Sequence, residues 1–132
     1  MKVVFDTNIF ISAFIFPESQ AEKAISRIAE GIDTLLISKP IINEVLSVLS
    51  RKFSQNAEAI SRAAVYLSEL AIIVHPQKAV HILKDESDNR ILECAISWGA
   101  DVIVTGDKKM LELDEYLGIK IISLKEYLLE RG

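Results

Sequence analysis

The sequence is poor in three features that would assign it to common protein classes: cysteine, long apolar runs and excess positive charge. A single cysteine, Cys94, cannot form an internal disulfide, which favours a reducing cytoplasm as the location. The longest apolar stretch near the start, residues 9–16, is interrupted by Ser12 and followed by Pro17. It is too short to cross a bilayer, so no membrane association is expected.

The charge and the missing motifs exclude further classes. With a formal net charge of −4, any contact with nucleic acid must come from a local basic patch or from bound metal. There is no P-loop and no GxGxxG motif, so a nucleotide cofactor is not supported. His75 and His81 lack a metal-ligand spacing such as HExxH, and Cys94 is expected to pack in the core rather than act as a nucleophile.

What the sequence does contain is a regular alternation of strand-like and helix-like segments, over a length that suits one domain of residues 1–132. The strand candidates are mostly continuous in Val, Ile and Leu, as in parallel strands covered on both faces; they are residues 2–6, 34–38, 71–75, 101–105 and 119–123. This alternation predicts an α/β fold, a three-layer α/β/α sandwich with a central, mainly parallel five-stranded sheet.

Capping residues predict where several helices begin and end. A capping box from Ser19 to Glu22 begins a helix that Gly31 ends, and Ser123 with Glu126 begins the last helix. The other expected helices are one with Pro40 in its first turn, one over residues 56–70 and one from Asp88 to Gly99.

The helix that begins near Asp88 carries this acid on its apolar side. At 100° per residue Asp88 lies in the middle of an arc formed by Ile91, Leu92, Ala95, Ile96 and Gly99. The opposite, polar side is formed by Asn89, Arg90, Glu93 and Ser97, and Trp98 is expected in the core at the helix end. An ordinary N-cap or first-turn acid explains Asp88 equally well, with Ser87 as an alternative cap.

Four carboxylates stand at or just beyond hydrophobic segments: Asp6, Glu44, Asp88 and Asp107. Asp6 and Asp107 follow the first and fourth strand candidates, and the carboxyl ends of parallel strands form the rim where ligands bind. Acids gathered there repel each other unless a cation lies between them. The pattern therefore predicts a Mg²⁺ or Mn²⁺ site and phosphate chemistry. Each acid alone has a simpler explanation, Glu44 as a boundary residue and Asp107 as a turn residue, and the combination favours the site.

The motifs around these acids resemble a known family. FDTNIFISA, the N-E pair in PIINEV, DxxDNRILECA and DVIVTGD occur in the order and spacing of the PIN-domain nucleases. The resemblance runs from Val3 to about Tyr127 and is nearest to the small prokaryotic branch that supplies the toxins of toxin–antitoxin pairs. It implies that the four acids, the quartet Asp6, Glu44, Asp88 and Asp107, are both catalytic and metal-binding. It also adds three supporting residues, Asn8, Asp85 and Thr105.

By this resemblance the protein is expected to be an endoribonuclease that hydrolyses RNA phosphodiester bonds with one or two Mg²⁺ or Mn²⁺ ions. Asp6, Asp88 and Asp107 would bind metal directly or through water, and Glu44 would help to hold a second ion or the attacking water. Candidate phosphate contacts are Arg51, Lys108 and Lys109, for which ordinary surface charge is the alternative. A cognate antitoxin protein and a homodimer are also implied.

Two other functions are compatible with parts of the sequence. A haloacid-dehalogenase-like phosphatase also begins with a strand that ends in Asp and binds Mg²⁺. That family needs a second Asp where this chain has Asn8, and here Asp114 lies too far beyond Asp107 for its later acidic motif. A non-catalytic PIN-like module that binds RNA or protein is the other alternative, and the complete quartet argues against it.

Overall fold

A six-stranded sheet forms the middle of the structure, a computed structural model that describes residues 1–52 and 56–130. Its strands are β1 (Lys2–Phe5), β2 (Thr34–Ser38), β3 (Ile72–Val74), β4 (Val102–Val104), β5 (Glu115–Tyr116) and β6 (Ile119–Ile122). Across the sheet they lie in the order β3-β2-β1-β4-β6-β5, and only β5 runs antiparallel to its neighbour. The mainly parallel sheet predicted from the sequence is confirmed, with six strands instead of five.

Helices cover the two faces of this sheet, so the predicted three-layer α/β/α architecture is also confirmed. In the described residues they are α1 (Thr7–Ile15), α2 (Gln20–Ala29), α3 (Lys39–Lys52), α4 (Ala57–Leu70), α5 (Glu86–Ser97), α6 (Lys108–Leu113) and α7 (Leu124–Glu130). None of them combines the length and the apolar character needed to span a bilayer.

Three elements have no counterpart in the sequence prediction. Strand β5 is two residues long and joins β6 through Leu117 and Gly118, whose φ angles of 51° and 84° fit a tight hairpin turn. A strand this short shows no alternation that could reveal it. Helix α1 is apolar along most of its length, so its periodicity is hidden, and α6 has only six residues.

The predicted helix boundaries agree with the structure at most positions. Ser19 caps α2, Pro40 lies in the first turn of α3, and Asn56 caps α4. Helix α5 differs, because its N-cap is Asp85 rather than Ser87 or Asp88, and Asp88 is a first-turn acid.

Two expectations for α5 were wrong. Trp98 is 51% exposed, because the helical conformation ends at this residue and the apolar arc does not extend to it. Asn89, placed by the helical wheel on the polar side, has no exposed surface. Val80 and Leu83 of the preceding loop bind side chains on that side of the helix, which helical periodicity alone does not reveal.

The strand order places a crevice at the carboxyl ends of β1 and β4. From β1 the chain continues to β2 and β3 on one side, and then returns to β4 on the other side of β1. In open α/β sheets ligands bind where connections diverge in this way. The register pairs Phe5 with Val104, and the Asp6 N–H extends the ladder by donating to the Val104 carbonyl at 3.0 Å. Asp6 is therefore anchored by the sheet at this crevice.

The buried strands give this crevice a rigid base. Residues of β1 and β4 such as Val4, Phe5 and Ile103 have no exposed surface, and the Phe5 ring packs edge-on against Tyr127 at 5.6 Å between centroids. Burying one large apolar side chain contributes about 1.5–3 kcal/mol. Phe5→Ala would therefore weaken the strand that positions Asp6.

Candidate active site

All four acids of the predicted quartet line one cleft at this end of the sheet. The cleft has a volume of about 390 Å³ and is lined by Asp6, Thr7, Asn8, Glu44, Val48, Asp85, Ser87, Asp88, Ile91, Gly106 and Asp107. Asp85 and Asn8, predicted as supporting residues, are among them. Five of these residues are acidic, and no basic residue of the described chain is among them. The electrostatic character of the cleft is therefore set by carboxylates.

Three of these acids also cap helices. Asp6 Oδ1 accepts from the Asn8 N–H at 2.7 Å, Asp85 Oδ1 from the Ser87 N–H at 3.0 Å, and Asp107 Oδ1 from the Lys109 N–H at 3.2 Å. A cap uses one carboxylate oxygen, so capping a helix and lining a site are compatible roles. The positive ends of the helix dipoles offset part of the repulsion among the acids.

A buried hydroxyl connects Asp6 with Asp107. Thr105 donates its proton to Asp6 Oδ2 at 2.5 Å, and its oxygen accepts from the Asp107 N–H at 3.0 Å. Because the Asp107 amide can only donate, the single hydroxyl proton of Thr105 is directed to Asp6. Both oxygens of Asp6 are thus held by neutral donors, which fixes its side chain. Thr105 was predicted as a supporting residue, and the structure places it directly behind the cleft.

A second hydroxyl orients Glu44. The Thr7 hydroxyl donates to Glu44 Oε1 at 2.8 Å and joins the first residue of α1 to α3. Glu44 is half-buried, so this bond restricts a side chain that would otherwise be mobile. Thr7 was not among the predicted site residues. The available signal was its position between Asp6 and Asn8, directly after β1.

Burial and repulsion raise the pKa of two acids in the cleft. For Asp88, burial, a hydrogen bond to the Asp107 carboxyl and the charges of Asp107, Asp85 and Asp6 raise the pKa to about 7. Burial also raises the pKa of Asp6, although hydrogen bonds from Thr105 and Asn8 act in the opposite direction. Near neutral pH, Asp88 therefore keeps a proton in part of the molecules, next to the Asp107 carboxyl. A cation bound beside this pair would release that proton.

The oxygen-only donor set fits a hard divalent cation. In the part of the chain that the structure describes, no three His, Cys, Asp or Glu side chains are already arranged closely enough to enclose a metal ion. Mg²⁺ needs few protein ligands, because it prefers oxygen and keeps several of its waters. Asp6, Asp88 and Asp107 are the residues that could hold it, with Glu44 on the adjacent wall. Manganese accepts the same ligands.

The three predicted phosphate contacts lie outside the cleft lining. Lys108 and Lys109 are exposed at the start of α6, directly after Asp107. Arg51 is exposed near the end of α3 and donates to the Ser47 hydroxyl at 3.2 Å. Contact between these residues and a phosphate therefore stays a prediction.

Cys94 has no part in this site. Its thiol is fully buried on α5, and burial raises its pKa to about 12. A thiol kept neutral by burial near neutral pH is a poor nucleophile. The prediction that Cys94 packs in the core is confirmed.

Comparison with known proteins agrees with this architecture. The family model described as PIN domain matches residues 2–109, which is more than half of the chain. The uncharacterized protein MJ1680 of Methanocaldococcus jannaschii is 34% identical over 132 residues, covering 95% of this chain and 84% of that protein.

Two solved structures share the fold. VapBC2 from Rickettsia felis, bound to a DNA fragment from their promoter, matches with a TM-score of 0.67 at 16% identity, covering 93% of this chain and 98% of the other. VapBC-1 from nontypeable Haemophilus influenzae matches with a TM-score of 0.64 at 21% identity, covering 95% and 99%. From the match of the family model and from the archaeal relative, this chain belongs to the PIN domain family.

Proposed function

We propose that this protein is a metal-dependent endoribonuclease and that residues 1–132 act as a single nuclease domain. The observation that carries the proposal is the cleft itself, in which five carboxylates converge without a basic residue of the described chain in its lining. Burial and mutual repulsion raise the pKa of two of these acids, Asp6 and Asp88, so the cleft favours a bound cation. Membership of the PIN domain family supports the same function, since PIN domains are generally nucleases.

The proposed cofactor is Mg²⁺ or Mn²⁺. Bound here, such an ion would acidify a water molecule and neutralise the charge that builds on the phosphate oxygens during hydrolysis. Asp6, Asp88 and Asp107 would hold it, directly or through water. Asp6 is suited to this because Thr105 and Asn8 fix its orientation while each of its oxygens keeps a free lone pair.

Glu44 is the candidate for moving the proton of the attacking water. Its Oε1 accepts the Thr7 hydroxyl, which leaves Oε2 to accept a proton or to orient the water. A bound cation would favour release of the proton of Asp88, so the loaded site would present this acid ionised at neutral pH.

The proposed substrate is RNA. A cleft lined by acids repels a polyanion unless a cation neutralises it, so binding of the scissile phosphate would depend on the metal. Flanking phosphates would need cations outside the cleft. Lys108 and Lys109, two residues next to Asp107, are the nearest candidates in sequence, and Arg51 on α3 is a third.

The proposal extends to a role as the toxin of a toxin–antitoxin pair in the cytoplasm, with a cognate antitoxin and a homodimeric state. Two proteins of the same fold, VapBC2 and VapBC-1, support it. The helical region from Ser19 to Leu70 also exposes apolar side chains, such as Val65 at 56% and Tyr66 at 41%, which suit a protein partner.

A cleavage assay tests the nuclease proposal. The purified protein should cut single-stranded or structured RNA with Mn²⁺ or Mg²⁺ and not with EDTA, while Asp107→Asn should fold normally and cut at least a hundredfold more slowly. RNA binding without cleavage by the wild-type protein would instead favour the non-catalytic PIN-like module.

A growth assay tests the toxin role separately. Expression of the wild-type chain alone should slow a bacterial host, and expression of Asp107→Asn to the same level should not. Equal growth of the two cultures would contradict the toxin role and leave the nuclease to be judged by the cleavage assay.

A further inference from the structure

Residues 75–85 are neither helix nor strand, yet two of their peptide groups are bound by side chains of α5. The Leu83 N–H donates to Asn89 Oδ1, and the Leu83 carbonyl accepts from Asn89 Nδ2, both at 2.9 Å. One amide side chain therefore satisfies both polar groups of one residue, as a neighbouring strand would do.

The N–H and the carbonyl of Val80 are also bound by side chains of α5. The Val80 N–H donates to Glu93 Oε2 at 2.8 Å, and the Val80 carbonyl accepts from Arg90 at 3.3 Å. Arg90 and Glu93 are themselves paired at 2.8 Å. Together these contacts hold the segment against the side of α5 that its sequence pattern assigns to solvent.

Asn89 is the buried member of this arrangement. Its side chain has no exposed surface, and a buried amide is stable only when its hydrogen-bonding groups are satisfied. Loss of the Asn89 amide would leave the Leu83 N–H and carbonyl without partners, which favours release of the segment.

The segment leads directly into the acidic cleft. Asp85, two residues after Leu83, caps α5 through the Ser87 N–H and lines the cleft. Its charge is also one of the causes that raise the pKa of Asp6 and Asp88, so it is electrostatically part of the cluster. Only Lys84 separates Leu83 from Asp85, so a displacement of Leu83 would be transmitted to the backbone of Asp85.

We propose that Asn89 is a positioning residue for the acidic cleft. By holding Leu83 it keeps Asp85 beside Asp6 and Asp88, and so raises the affinity of the cleft for a divalent cation. Asn89 does not line the cleft and acts through Asp85. This inference rests on the proposed function, because it takes the cleft to be a metal site.

A double-mutant cycle tests the proposal, with Mn²⁺ affinity measured by titration calorimetry. Asn89→Leu keeps the approximate side-chain volume and removes the amide, and it should weaken Mn²⁺ binding about tenfold, as loss of a residue that orients a ligand commonly does. Asp85→Asn keeps the helix cap and removes the charge, and should have a similar effect. In the Asp85→Asn background, Asn89→Leu should weaken binding no further.

Two controls separate positioning from a general loss of stability. Asp33 lies outside the cleft lining, with the Arg27 guanidinium 3.5 Å from its carboxylate. Asp33→Asn should therefore lower the stability of the fold and leave Mn²⁺ affinity within twofold of wild type. In the metal-free proteins, the Leu83 amide should exchange its hydrogen faster in Asn89→Leu than in wild type. If Asn89→Leu does not fold, Asn89→Ser takes its place in the same cycle.

The outcomes distinguish the two proposals. Unchanged Mn²⁺ affinity in Asn89→Leu would overturn the positioning role. So would a loss of affinity on Asn89→Leu that is as large in the Asp85→Asn background as in wild type. In both cases Mn²⁺ binding by the wild-type protein would still support the metal site. A wild-type protein that binds no Mn²⁺ would overturn both.

Discussion

Two aspartates in this protein are almost fully buried, and they differ in the groups that surround their carboxylates. Asp33 and Asp6 are 4% and 6% exposed, so their burial is nearly equal. Asp33 accepts from the N-terminal ammonium at 3.0 Å and from the Tyr127 hydroxyl at 2.6 Å, with the Arg27 guanidinium 3.5 Å away. Its negative charge is therefore matched within the fold.

Asp6 receives only neutral donors, the Asn8 N–H and the Thr105 hydroxyl. The charges that affect it are those of Asp107 and Asp85, and its pKa is raised, chiefly by burial. Burial also acts to raise the pKa of Asp33, but Tyr127, the N-terminal ammonium and Arg27 outweigh it and hold that pKa below its ordinary value. The fold thus supplies counter-charges to Asp33, whereas a bound cation would supply one to Asp6.

The two clusters, the acidic cleft around Asp6 and the charged group around Asp33, should differ most in their effect on catalysis. Asp6→Asn should reduce RNA cleavage with Mn²⁺ by at least about a hundredfold, because it removes one metal-binding charge and keeps the side-chain shape. Asp33→Asn should retain wild-type cleavage per folded molecule, since Asp33 does not line the cleft. Near wild-type cleavage by Asp6→Asn would remove the distinction between the clusters.

The next difference is in stability. Asp33→Asn should lower the free energy of unfolding by about 2–4 kcal/mol, because it leaves the Arg27 guanidinium buried without its counter-charge. Urea unfolding at pH 7 would measure this. Asp6→Asn should cost much less in EDTA, since it also relieves repulsion in the cleft. If both variants lose the same stability, the contrast drawn from the ion pairs does not hold.

A smaller difference is expected in the dependence of stability on pH. The pKa of Asp88 rises from 3.8 to about 7 on folding, so between these values the folded protein keeps a proton that the unfolded chain releases. Without metal, the free energy of unfolding should therefore fall from pH 5 to pH 8, by on the order of 1–2 kcal/mol after allowance for solvent screening. Urea unfolding of the wild type in EDTA at the two pH values measures it.

Asp33 should have the opposite effect on how stability depends on pH. Its pKa is lowered on folding, so its contribution is complete above 3.8 and is lost as the pH falls through the folded pKa. Asp88→Asn should abolish most of the decline between pH 5 and pH 8 and leave the acid side unchanged. A decline of equal size in this variant would assign it to other groups.

The sequence predicted which acids line the cleft better than it predicted the contacts that support them. Asp6 and Asp107 could be recognised because they follow continuous buried strands, and the cap residue Ser19 because its capping-box signal is local. The bond from Thr7 to Glu44 joins residues 37 positions apart, and that from Tyr127 to Asp33 joins residues 94 apart. No local pattern encodes such pairs.

Asn89 shows a second limit of the sequence pattern. A helical wheel separates polar from apolar positions, and it assigned Asn89 to solvent. In the structure the Asn89 amide is buried against the backbone of Leu83 and binds its N–H and its carbonyl. A polar side chain can therefore be buried on this side of α5. The helical wheel was correct that this side of α5 is polar. The burial of Asn89 depends on residues 75–85, which have no helical or strand periodicity to reveal the contact.

Thermal unfolding with and without Mn²⁺, on wild type and Asp88→Asn at matched ionic strength, tests the metal site most directly. Metal that binds only the folded state adds about 2.7 kcal/mol at a concentration of a hundred times Kd, which should raise the wild-type Tm by several degrees. Asp88→Asn should unfold at a higher temperature than wild type in EDTA and should gain less from Mn²⁺. If Mn²⁺ shifts neither protein, or shifts both equally, the carboxylates of the cleft do not form a metal site.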